Sequence, residues 1–433
     1  MEKLRLRGEN GKIYYGWYIC ILSALIGNFI YNGIISTTGV FLLPVTMELG
    51  IPVGQFSLYI SILSVVNIIT LLCINKVLSP KNMKPIMIVA GLLGIVSFIG
   101  FSKAATLTAF YIWSIPMGFC FSACTMTPCT IMINNWFGPL VRGKAMSIYM
   151  GIMSLLGLGT INILNGIIMS HGWRGGYIFC AAGVAICIPL IALIAKWSPA
   201  EKGLRRMGDP EDEAMAAMMA VNPENIPGIT FAEAKKKPIT WVAFISCILM
   251  VLASSAMLQH GIPTFVMAGV APEFATFLSS LISIALIGST VVIGAVIDKC
   301  GPQVGVILTS GCFALAVLAY GMVSPTATWL MYPGIILYVF GVPAINLMSP
   351  IIFASMYGDK DISRFIAIMN MFIAIGGIFG APLVGSMMTA TGGYRTPWLV
   401  MTVVLAIALV LRIFCTSKKY RFVPEAPKTE GAE

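Results

Sequence analysis

The sequence predicts an all-α membrane protein of about twelve transmembrane helices in two pseudo-symmetric six-helix bundles, and three observations carry that prediction. Of its 433 residues, 58% are hydrophobic and only 10% charged, against roughly 25% charged in an ordinary soluble domain. Apolar runs of the ~20 residues needed to cross a bilayer recur along the chain. The chain also repeats itself: Gly138 and Gly358, Lys144 and Arg364, and Gly157 and Gly377 are each 220 positions apart. One residue of slip then pairs Gly172 with Gly393 and Arg174 with Arg395. Two copies of one membrane unit are how many secondary transporters are built.

In order, the first half offers spans at 16–45, 55–78, 84–103, 107–133, 143–169 and 174–197. The second half offers 239–268, 274–297, 303–324, 327–355, 365–389 and 395–415. Prolines 44, 80, 116, 128, 263, 343, 350 and 382 mark ends or kinks. The first run starts at Trp17, is too long for a cleaved signal and is expected to stay as a helix. The implied organisation is a first bundle over 1–197, a cytoplasmic linker over 198–238, a second bundle over 239–415 and a cytoplasmic tail over 416–433.

Lysine and arginine fix the orientation. With the N-terminus inside, 24 of the 27 fall in cytoplasmic segments or helix ends, leaving Lys103, Arg174 and Arg395 outside. The opposite orientation would invert the positive-inside rule. Both termini are therefore expected in the cytoplasm of a multi-pass cell-membrane protein. The net charge of +10 is spread between apolar runs instead of gathered in a patch, which argues against nucleic acid. The eleven cysteines are scattered through apolar segments without a CxxC and read as small buried hydrophobes.

The linker carries an acidic run (Asp209, Glu211, Asp212, Glu213), a Met/Ala stretch and, at its end, Thr230 to Glu233 with capping-box spacing before three lysines. A short amphipathic helix on the inner surface and a solvated basic turn both fit that end.

The most specific short pattern is Gly294-Ala-Val-Ile-Asp298-Lys299-Cys300-Gly301, between the eighth and ninth spans. Gly294 permits close helix approach, Asp298 can accept from helix-terminal N–H groups or a cation, and Gly301 supports a positive-φ turn. The first-half equivalent, 219 positions earlier, has Ser79 for the carboxylate and Asn82 for the final glycine, and Asn82 is the residue left to supply a left-handed turn.

With its twelve spans and polar central linker, this GxxxD(K/R)xG turn resembles the major facilitator superfamily over nearly the whole chain. Gly16-Trp17, the entry from Trp136-Phe137 to Arg142-Gly143, and Pro199 to Leu204 after the sixth span are similar to its oxalate/formate antiporter and monocarboxylate transporter branch. The resemblance implies two bundles rocking about a central cavity that carries small organic carboxylates, with a proton or by exchange. It also implies a cytoplasmic gate of Gly294, Asp298, Lys299, Gly301, Arg142, Lys144 and Arg364. Branch members that move dicarboxylates place cations in the eighth and eleventh helices; none stands at 279–296 or 365–388, so a desolvated dianion would be very costly.

No Asp, Glu, Lys or Arg falls near the middle of any predicted helix. His260 is the one titratable group at cavity depth, and its ordinary pKa of about 6.5 suits proton exchange. The alternatives are a neutral histidine bonded to a neighbouring helix, or one at the outer interface. Asn28, Tyr31 and Asn32 share one face of the first helix, where an amide turned to lipid would be unsatisfied, and so should face the cavity. Thr125 and Thr127-Pro128 are mirrored by Asn346 and Ser349-Pro350, where broken helices would expose backbone to substrate. Tyr149, Gln259, Tyr338 and Asn370 offer further donors; for each residue singly, helix-to-helix bonding is an equal alternative. Gly157, Gly159, Gly288, Gly376, Gly377 and Gly380 fit close contacts either between the moving halves or within each bundle.

The expected partners are a small organic acid, protons and the lipid bilayer, for a monomer without cofactor or metal. The sequence has no phosphate-binding glycine loop, HExxH or cluster of carboxylates and histidines at helical spacing, so an enzyme is not expected. A carrier of larger amphipathic or neutral compounds is the rival reading, and a transport-dead sensor the more distant one.

Overall fold

A computed structural model describes residues 13–138, 141–208, 228–358 and 360–422. These are almost entirely helical, as a bilayer demands of a chain whose backbone groups have no water to bond. α1 (Tyr15–Ile26) runs on through a π-helix, Gly27–Ser36, into α2 (Thr38–Leu49). α3 (Val53–Val77) and α4 (Met83–Lys103) follow. α5 (Leu107–Cys120) joins α6 (Thr127–Trp136) through a second π-helical turn, Phe121–Met126. α7 (Arg142–Ile194) contains both the fifth and sixth spans, divided at Gly172 with φ 73° and ψ 171°. That backbone conformation strains any residue with a Cβ, which is why a glycine stands at the turn.

The second half begins with a one-turn helix, α8 (Phe231–Ala234), in which the Glu233 carboxylate accepts from the Thr230 N–H at 3.3 Å. Then come α9 (Pro238–Met267), α10 (Pro272–Cys300) and α11 (Pro302–Met322). The tenth span is made of three pieces, α12 (Met331–Gly341), α13 (Pro343–Asn346) and α14 (Met348–Tyr357). α15 (Ile362–Thr391) and α16 (Arg395–Cys415) complete the fold. Ten helices among the described residues are long and apolar enough to cross a membrane. Counting α7 as two and adding the 29-residue α10 gives the twelve expected. Gly392, not Gly393, takes the left-handed turn (φ 72°), so the 220-residue offset from Gly172 persists there without the slip.

Both ends of the linker dock on equivalent turns. Gly138 N–H donates to Met207 O at 2.7 Å in the first half, and Ile229 N–H donates to Tyr357 O at 2.9 Å in the second. The acidic run and the Met/Ala stretch lie outside the described residues. Beneath the second docking point a separate core cluster gathers Phe244, Phe353, Tyr357 and Phe365, with the last two rings stacked at 4.8 Å.

The halves meet through α3 on α15, α2 on α9 and α7 on α10. Their closest approaches lie toward the face opposite the linker. A Cβ built on Gly54 would stand 2.7 Å from the Ser386 backbone, and one on Gly39 would stand 3.0 Å from Gln259 O. At the linker face Gly143, Gly294 and Gly301 look into open space. The backbone seam between the halves thus lies opposite the linker, while at the linker face α14 packs on α9, α11, α13, α15 and α16, all of its own half.

Candidate functional site

The first span supplies the polar core of the site. Its π-helical segment has Thr37 donating through its backbone N–H to Asn32 O at 3.1 Å, the five-residue spacing of a π-turn. The Thr37 and Thr38 hydroxyls back-bond to Gly33 O (2.8 Å) and Ile34 O (2.6 Å). Such insertions and back-bonds bend helices and recur at functional sites. The widened segment turns two amides inward. Asn28 Nδ2 donates to Thr160 Oγ1 at 2.8 Å; Asn32 Nδ2 donates to Met153 O at 3.3 Å, with Asn28 Oδ1 at 3.4 Å; Ser36 Oγ donates to Asn32 Oδ1 at 3.1 Å.

Beside these groups is a niche of about 60 Å³ lined by Asn32, Ser36, Thr37, Ser154, Thr160 and, from the other half, Ser279, with Gly157, Leu158 and Ile161 closing it. None of its lining residues is charged. Toward the face opposite the linker lies a larger cavity of about 740 Å³ between the halves, walled by Met47, Met169, Met267 and Met388 with prolines and few polar groups.

Gln259 sits where the halves touch. Its Nε2 donates across to Ser57 Oγ at 3.0 Å while its Oε1 is buried without a partner. Nearby Ser61 Oγ donates to Ile378 O at 2.5 Å. His260 is fully buried in the second half, with Nδ1 2.9 Å from Tyr394 Oη and Nε2 2.9 Å from Ala381 O. Because the carbonyl can only accept, Nε2 carries the hydrogen and Nδ1 accepts from the tyrosine in the neutral form.

The other sequence candidates are dispersed. Tyr31 stacks on Phe121 at 5.5 Å. Thr125 is buried, its hydroxyl donating to Phe121 O at a non-helical point (φ −104°, ψ −105°), and Thr127 opens α6. Tyr149, Tyr338 and Ser349 are buried within their own halves, whereas Asn346 and Asn370 are exposed. Among the gate residues, Gly301 has φ 85°, Lys144, Lys299 and Arg364 are exposed, and the Arg364 guanidinium lies 5.5 Å over Phe231. Arg142 opens α7. The Asp298 side chain lies outside the described residues. Asn82 takes φ −114° and not the left-handed conformation expected of it; its side chain instead accepts from Ser79 N–H (2.7 Å) and Oγ (2.8 Å) and donates to Val77 O.

Residues 18–356 and 268–432 match the sequence family described as the Major Facilitator Superfamily. The chain belongs to the Major Facilitator Superfamily. Its likeness to solved superfamily structures is one of fold. A nucleoside transporter, NupG, superposes with a TM-score of 0.72 at 12% identity over 93% of this chain and 99% of that one. A bacterial homologue of the human lysosomal transporter Spinster, inward-facing and unoccupied, gives 0.70 at 14% over 95% and 99%. A mutant of the peptide transporter POT in complex with sulfate gives 0.69 at 14% over 95% and 97%. Comparison with curated protein sequences gave no match.

Two features escaped sequence reading. The backbone contacts between the halves use Gly39, Gly54 and Gly385; of the glycines that fitted contacts either between the halves or within a bundle, Gly376 packs on Ile248 O, Gly380 on Leu252 O and Gly377 on Val251 inside the second half, and Gly157 on Asn32 inside the first, the within-bundle alternative, while Gly159 and Gly288 meet open space. Arg412, counted with the cytoplasmic cations, is completely buried.

Proposed function

We propose that this superfamily transporter carries a small organic monocarboxylate by alternating access, through proton symport or anion exchange. The observation that carries the reading is the uncharged niche of about 60 Å³ where Asn32, Ser36, Thr160 and, from the other half, Ser279 converge. At the ~10–15 Å³ a water-sized group requires, it holds an acid of about acetate's size. Its hydroxyls and amides bond a carboxyl group, but without a cation they leave a dianion uncompensated. A monoanion travels with a proton or against another anion.

His260 is the proposed proton site. Ala381 O accepts from Nε2 throughout, and the Tyr394 hydroxyl donates to Nδ1 of the neutral ring or accepts from it once protonated, so the ring keeps two partners in either state. Arg142, Lys144, Asp298, Lys299 and Arg364 are the proposed cytoplasmic gate, in a cell-membrane monomer with cytoplasmic termini. The 740 Å³ methionine-walled cavity favours a second reading, a larger amphipathic or neutral substrate, since methionine linings adapt to varied apolar surfaces.

The test is uptake of labelled acetate-sized acids and of bulky apolar acids into proteoliposomes, with and without an inward proton gradient. Gradient-driven uptake of the small acids supports the first reading. Movement of bulky acids alone replaces it with the second, and binding without counterflow replaces both with a sensor.

A further inference from the structure

Arg412 lies one turn from the linker-face end of α16, where long cationic side chains ordinarily extend to water. Here it turns inward. Its Nη1 donates to Ala344 O at 2.5 Å, and its Nη2 donates to Ser349 Oγ at 2.8 Å and lies 3.9 Å from Cys247 Sγ. Its Nε is buried without a partner. Those partners include no carboxylate, so the burial is costly and calls for a compensating role.

The partners define that role. Ala344 and Ser349 stand on either side of the interruption at Leu347 (φ −94°, ψ −51°) that separates α13 from α14. The Ser349 hydroxyl leans on the same Ala344 carbonyl at 3.3 Å, so one guanidinium spans the bend. The first half handles its own irregularity without charge: Thr125 and Cys129 back-bond within the helix, and Ile191 stands at the position equivalent to Arg412 by the 221-residue offset of Arg174 and Arg395. Beyond the bend, α14 ends in the carbonyls that anchor the linker and tail. Tyr357 O accepts from Ile229 N–H, Met356 O accepts from Phe422 N–H at 2.8 Å, and the Phe422 ring stacks on Tyr357 at 5.6 Å. The angle at Leu347 therefore places a whole corner of the linker face.

We propose that Arg412 is a positioning residue of the transport cycle: by bonding both sides of the bend in the tenth span, it holds α14 and the segments docked on it away from the first half, keeping the linker face open. This does not depend on the substrate.

Natural labels exist for the test. Cys73 and Cys300 are the exposed cysteines among the described residues, and they sit near the linker-face ends of α3 and α10, one in each half. Nitroxides on this pair in the full chain, reconstituted in liposomes, report opening as a distance distribution. Arg412→Met is expected to raise a shorter-distance population, a few per cent or less in a resting two-state protein, by about tenfold. Arg412→Lys, which keeps the charge but not the fork, should fall between. Ser349→Ala should shift the same way by less. Arg412→Met protein that is folded and monodisperse with an unchanged distribution overturns the proposal. Should that variant not fold, unchanged distributions in both Arg412→Lys and Ser349→Ala overturn it equally, whereas a shift in either supports it. A merely structural role would lower thermal stability without moving the distances.

Discussion

Replacing Gly54 by alanine, then leucine, should drive the protein out of the conformation described here. In this state the two halves touch backbone to backbone at Gly54, whose added Cβ would lie 2.7 Å from both Cα and N of Ser386 and 3.0 Å from the Gly385 carbonyl carbon. No flexible side chain is present there to yield, so α3 and α15 must separate. Overpacking of this kind costs about 1–3 kcal/mol, and because it acts only while the face opposite the linker is closed, that cost shifts the closed-to-open ratio by roughly 5- to 150-fold. Leucine should exceed alanine. The assay is the Cys73–Cys300 label distance, paired with reaction of a cysteine at Asn165, which is buried and lines the cavity between the halves, with a membrane-impermeant maleimide. The linker-side distance should shorten as position 165 becomes more reactive. Gly143→Ala, which meets nothing within 4 Å, is the control. Folded Gly54→Leu protein with unchanged distance and reactivity would refute the idea that this contact is a gate.

Further perturbations separate the site residues. His260→Gln should abolish gradient-driven uptake of small acids while leaving exchange; retention of both would reduce His260 to a buried pin. Asn32→Leu removes a donor from the niche and should lower small-acid uptake by about tenfold, from the roughly 1–3 kcal/mol cost of a lost buried hydrogen bond, without altering the label distance. Equal uptake would place the substrate elsewhere. At the face opposite the linker, the hydrogen bond from Arg174, joined by that of Trp173 at 2.7 Å, holds the exposed Glu48 carboxyl below its ordinary value. A lowered folded value means that the stabilisation is present above the ordinary carboxylate range and is lost as pH falls through the folded value. Wild type should therefore exceed Glu48→Gln in thermal stability at neutral pH and converge with it on acidification; a gap independent of pH would deny the titration.

Much of the fold was legible because a bilayer writes its demand in length. Every predicted span reappears, with ends displaced by a few residues, since a chain without water must form helices wherever it is apolar for long enough. Gly172 was legible as a turn because the apolar run on either side was too long to be one span. Asn28 and Asn32 stood out as amides in apolar surroundings, and the structure brings them together with Thr160. The interface glycines were not legible: Gly54 and Gly376 look alike in sequence, and only the partner opposite decides whether a glycine joins two helices of one half or two halves. Arg412 was hidden by its position, because a cation one turn from a helix end satisfies the positive-inside rule equally well whether it points outward or folds back. Asn82 misled because its side chain, by accepting from Ser79 and donating to Val77, closes the turn that a left-handed backbone was expected to make.

The docking of the linker by its two ends has a practical meaning. Met207 is bonded to the turn after α6 and Ile229 to the turn after α14, so each half keeps its own stub of the connection when it moves, and the contacts that join the halves lie on the other face. Continuity of the chain through 209–227 is then a matter of supply: it delivers both halves in equal number to the same place. Two polypeptides divided within that stretch, co-expressed, should find each other through the Gly54–Gly385 seam and assemble into a working transporter.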